Sequence, residues 1–160
     1  MAQPGPQIDE KSRIADQLKR AFEGDAWHGP AVLEVLEGVS ARAAASKPLA
    51  GAHSIWELVL HIAAWDGAIR RRMEGQALQL TDEQDFPAVK DTSDSAWRAA
   101  LGHVKQRHAE LIQGVLSMPD HRLTSQVPGK DYDFYYMLHG AVQHELYHAG
   151  QIALLKKVAK

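Results

Sequence analysis

Apolar residues recur at helical spacing along almost the whole chain, and no stretch sustains the period-two alternation, rich in β-branched residues, that marks a strand. Ile14, Leu18, Ala21 and Phe22 mark a first amphipathic helix over about 8–23, stopped by Gly24. Pro30 suits a first helical position, and Val32, Leu33, Val35 and Leu36 make a short helix to about Glu37. Ser54 and Glu57 form a capping box opening a second long helix to about Glu74, with Gly75 as its stop. Its stripe is Ile55, Leu58, Ile62, Trp65, Ile69 and Met73. A polar loop containing Asp85, Phe86 and Pro87 follows. Ser93 or Asp94 caps a third long helix whose stripe, Trp97, Leu101, Val104, His108, Leu111 and Val115, steps by four and three until Met118-Pro119. A fourth runs from about Phe134 to the C-terminus. Four rods of about 20–25 residues bury such faces as an all-α, up-and-down-type four-helix bundle.

The 160 residues suit a single domain over 8–160, behind a Pro/Gly/Gln-rich N-terminus, 1–7, expected to be disordered. There is no cysteine, which excludes disulfides, thiolate metal sites and a cysteine nucleophile. A formal charge of −2 argues against a nucleic-acid partner. No signal peptide and no apolar run of membrane-spanning length is visible, so a cytoplasmic location off the membrane is expected.

Nine histidines are the compositional oddity, and residues 144–148 read His-Glu-Leu-Tyr-His. Histidines four apart lie only about 40° apart on a helix, so His144 and His148 can reach one ion. The string also matches the HExxH protease motif, but the chain after Gln151 offers neither acid nor histidine as third ligand. A di-iron carboxylate site needs a second Glu-x-x-His, which is missing. The third ligand must come from upstream. His61, about 80° from the centre of its helix's stripe, is the best candidate. Glu145 lies near the centre of the fourth helix's apolar face, where an unpaired carboxylate is expensive. It is the candidate catalytic residue, a general base on metal-activated water, with orientation of an imidazole or an interhelical salt bridge as alternatives.

The segments His-Ser-Ile-Trp-Glu-Leu-Val-Leu-His-Ile-Ala-Ala-Trp (53–65) and Leu-His-Gly-Ala-Val-Gln-His-Glu-Leu-Tyr-His-Ala-Gly-Gln-Ile (138–152) resemble those of the DinB/YfiT-like metal-binding bundles. Trp27-His28-Gly29-Pro30, Asp85-Phe86-Pro87 and Ala96-Trp97-Arg98 add looser support in the same order. The resemblance implies a four-helix bundle holding a divalent metal on His61, His144 and His148. It further implies a metal-dependent transferase using a low-molecular-weight thiol, or a hydrolase, acting on a small-molecule substrate, and frequent homodimers. The alternative is a non-catalytic bundle in which the metal stabilises the fold or a partner interface. Imidazole ligands suit zinc, nickel or iron alike.

The remaining residues have plainer expectations. His108 is a core or ligand-supporting histidine rather than a fourth ligand, and Gln151 packs, with a hydrogen bond to a ligand as the alternative. His28, His53, His103, His121 and His139 are solvated or capping. Trp56, Trp65 and Trp97 belong mostly to the core, and Arg70-Arg71-Arg72 complements the end of a helix dipole.

Overall fold

The computed structural model describes residues 9–159, and the expected disordered segment 1–7 lies outside them. The described residues form α-helices and one short 3₁₀ turn, with no strand. The helices are α1 (Glu10–Phe22), α2 (Val32–Leu36), α3 (Ala41–Ala45), α4 (Ile55–Met73), α5 (Asp82–Asp85), α6 (Asp94–Ser117) and α7 (Phe134–Val158). No described helix is long and apolar enough to cross a membrane.

Local chemistry sets these boundaries. Glu57 Oε2 accepts from Ser54 N–H at 2.8 Å while Ser54 Oγ accepts from Glu57 N–H at 3.1 Å, the capping box expected at the start of α4. Ser93 and Asp133 cap α6 and α7 through their side chains. α1 has 13 residues and ends at Phe22 against the expected stop, where Gly24 and Asp25 both turn to positive φ, 153° and 62°. It therefore spans only about 20 Å beside rods of about 37 Å. Two short helices were not foreseen: α3, capped by Ser40, and α5, whose Thr81–Gln84 capping box lies in the stretch read as loop. The 3₁₀ turn at Asp120–Thr124 follows Pro119.

α4 packs against α6 and α7, and α1 against the same two helices. α1 thus lies across the core from α4, and α6 from α7. Two of the three connections between long helices therefore cross a diagonal, whereas an up-and-down order joins neighbours.

The core falls into two apolar clusters. One gathers Phe22, Val32, Leu36, Val59, Ile62, Trp97, Val104 and Ile152. The other gathers Ile14, Leu18, Ile69, Met73, Leu111, Phe134 and Leu138. Each of three helices carries a buried polar residue where its stripe passes from one cluster to the other. Asp66 sits between Ile62 and Ile69, His108 between Val104 and Leu111, and Glu145 between Ala141 and Ala149. On α4 the expected stripe position Trp65 is only half-buried, and Asp66 takes the interior instead.

Candidate metal centre

Three imidazoles meet at one point. His144 and His148 project from successive turns of α7, and His61 from the second turn of α4. His144 Nε2 lies 2.9 Å from His61 Nε2 and 3.1 Å from His148 Nε2. Donors that share an ion at about 2.0–2.1 Å stand about 3 Å apart, so these separations are those of neighbouring ligands. Among the described residues no fourth histidine, aspartate or glutamate joins this group.

The outward nitrogens explain why the inner ones face each other. His61 Nδ1 donates to the Asp85 carbonyl at 2.9 Å, and His148 Nδ1 donates to Gln151 Oε1 at 2.6 Å. Both acceptors fix the ring proton on Nδ1, leaving the Nε2 lone pair toward the centre. Asp85 does more, because its Oδ1 accepts from Trp65 Nε1 at 2.6 Å. Phe86 then lies flat between two histidines, 4.0 Å from the His61 ring and 3.7 Å from the His53 ring, at 9° and 5°. α5 and the residue after it thus clamp the His61 ring of α4 from outside.

The electrostatics suit a cation. Burial and the neighbouring His148 and His61 push His144 down to about 3. Burial likewise lowers His61 and His148. All three rings are neutral at pH 7 and their lone pairs are available. A donor set of three neutral nitrogens, two of them pre-oriented, fits a divalent transition metal.

Several expectations need revision. Gln151 does not merely pack; it holds His148. Trp65 borders the centre, 5.9 Å from the His144 ring, rather than filling the core. The arginine run is not uniform: Arg72 is 1 % exposed and donates twice to the Leu78 carbonyl, at 3.1 and 2.9 Å. His28, His103 and His121 are exposed, and His139 stands 3.8 Å from Glu10 Oε1. His53 is exposed too, yet its ring stacks on Phe86.

The expected catalytic Glu145 is placed in a different group. It is 0 % exposed, and its Oε1 lies 2.8 Å from His108 Nδ1, which is also 3.5 Å from Asp66 Oδ2. Phe22 stacks on the His108 ring at 4.0 Å and 13°. Burial pulls His108 down, but the two carboxylates outweigh it and raise the imidazole to about 9. Burial raises both Glu145 and Asp66. Asp66 was missed in the sequence because its neighbour Trp65 fits the same stripe. The available signal was an acid four residues after Ile62 and three before Ile69.

A family model described as the DinB superfamily matches residues 26–152, well over half of the chain and inclusive of all three converging histidines. No curated protein and no solved structure matches the chain.

Proposed function

The chain belongs to the DinB superfamily, and from that premise we propose that it is a divalent-metal-binding protein acting as a metal-dependent enzyme, a thiol-linked transferase or a hydrolase. One observation carries the reading: three neutral Nε2 atoms converge, and among the described residues no fourth histidine, aspartate or glutamate closes the group. In this reading the four longest helices form a four-helix bundle, with the centre on the α4–α7 side. A bound divalent ion, zinc, nickel or iron, supplies Lewis acidity that lowers the pKa of a water or a thiol.

The chain's own residues do the positioning. His61, His144 and His148 hold the ion, Asp85 and Gln151 keep two of the rings in the ligating tautomer, and Phe86 fixes the plane of His61. With no cysteine in the chain, any thiol arrives on a small-molecule cosubstrate. Glu145 is given no part in the chemistry, because it is fully buried against His108. A homodimer and a cytoplasmic location complete the reading and rest on the family resemblance and the sequence.

Elemental analysis of untagged protein, repeated on His61→Ala and His148→Ala, tests the centre. Each variant should lose one equivalent of metal relative to wild type; equal contents in all three would sink the assignment. Incubation of the metal-loaded protein with an electrophile and several low-molecular-weight thiols tests the activity. Metal-dependent conjugation supports the transferase. Metal retained without turnover supports instead the non-catalytic bundle.

A further inference from the structure

We propose that Asp66, His108 and Glu145 form a second metal site, separate from the three histidines, that holds one zinc ion inside the core. The three side chains come from α4, α6 and α7 and are 1 %, 1 % and 0 % exposed. One donor atom from each lies within 4.8 Å of the other two. His108 Nδ1 is 2.8 Å from Glu145 Oε1 and 3.5 Å from Asp66 Oδ2. These values bracket the spacing of about 3.0–3.4 Å between donors sharing an ion at about 2.1 Å.

The angles carry the point further. Despite these distances, Asp66 Oδ2, both His108 nitrogens and both Glu145 oxygens have no hydrogen-bond partner among the described residues. A ring N–H at 2.8 Å from a carboxylate normally points at it. Here the atoms crowd together without hydrogen-bond geometry between them, as donors gathered round a shared ion do. Burying five such atoms unpaired would otherwise be costly, and two carboxylates beside one imidazole add a charge problem that a dication removes.

Donor chemistry selects the ion. Asp66 Oδ2, His108 Nδ1 and the two Glu145 oxygens make four donors, three oxygens and one nitrogen. Calcium and magnesium take six or more oxygen ligands, commonly including waters. Zinc accepts a four-donor set of carboxylate oxygen and imidazole nitrogen. Phe22 stacked on the imidazole holds the ring plane. The ion would tie together three helices at the boundary between the two apolar clusters, in a place no substrate reaches. Its role is structural, and the site does not depend on any activity at the histidine centre.

The test uses untagged, full-length protein, stripped by unfolding in chelator and refolded with zinc. Two zinc ions per chain are expected, one removed from the native protein by EDTA and the other released only on unfolding. The variant His61→Ala/His144→Ala/His148→Ala should keep one zinc, whose X-ray absorption spectrum shows a single imidazole among oxygen donors. Glu145→Gln and Asp66→Asn should each lose the EDTA-resistant ion and keep the other. Wild type whose zinc is all removed by EDTA without unfolding overturns the proposal. So does a triple variant that is folded by circular dichroism and binds no zinc, or whose zinc shows two or more imidazoles. If Asp66→Asn does not fold, Glu145→Gln and the triple-variant spectrum decide.

Discussion

A histidine becomes a ligand through the nitrogen that faces away from the metal. Gln151 Oε1, 2.6 Å from His148 Nδ1, leaves Nε2 bare and aimed inward. Gln151→Ala frees the ring to change tautomer and rotate. Metal affinity should fall about 10–100-fold with little change in thermal stability, as read by competition with a chromophoric chelator. An unchanged affinity would mean that the α7 backbone alone orients the ring. His61 is held by a carbonyl and by a stacked ring at once. Phe86→Ala should therefore weaken binding by roughly tenfold while Asp85 still fixes the tautomer. The same assay on the two variants separates ring orientation from proton placement.

At the level of elements, the long helices were readable because each announces itself twice, by a cap and by a stripe. Ser54 and Glu57 set the start of α4, and Ser93 that of α6, within a residue of expectation. Ser54→Ala removes the Oγ that accepts from Glu57 N–H while residue 54 can still donate its own N–H to Glu57, and should cost about 1 kcal/mol in urea unfolding. The convergence of His144 with His148 was legible from helix geometry, and His61 from its place beside the stripe. Asp85, Phe86 and Asp66 were not. The first two act on a helix some twenty residues away in sequence, through a carbonyl and a ring face that no periodicity encodes. Asp66 was hidden because two adjacent residues compete for one stripe, and only packing decides that the carboxylate goes inside and the indole outside. α1 ends where Gly24 was read as its stop, and the positive φ of Gly24 and Asp25 is the local reason.

For the molecule as a whole, two buried polar groups pull stability in opposite directions with pH. His144 is lowered to about 3, so its contribution is complete above the unfolded value of 6.5 and is lost as pH falls toward 3. His61 and His148 are lowered too and act in the same sense. His108 is raised to about 9, so its contribution is complete below 6.5 and is lost as pH rises through about 9. The raised Asp66 and Glu145 carboxyls also make the folded state weaker as pH rises. Metal-free protein should therefore show a urea midpoint that peaks at roughly the ordinary histidine pKa and declines on both sides. Glu145→Gln should flatten the alkaline arm, and a wild-type midpoint that stays constant from neutral pH to about 9.5 would contradict the account. The diagonal placement of α1 has its own consequence for how the chain is made. Apart from short α2 and the 3₁₀ turn, the helices that pack against α1 are α6 and α7, which leave the ribosome well after it. The apolar stripe of α1 thus stays uncovered until helices far along the chain are in place, and its docking is a non-local step of folding.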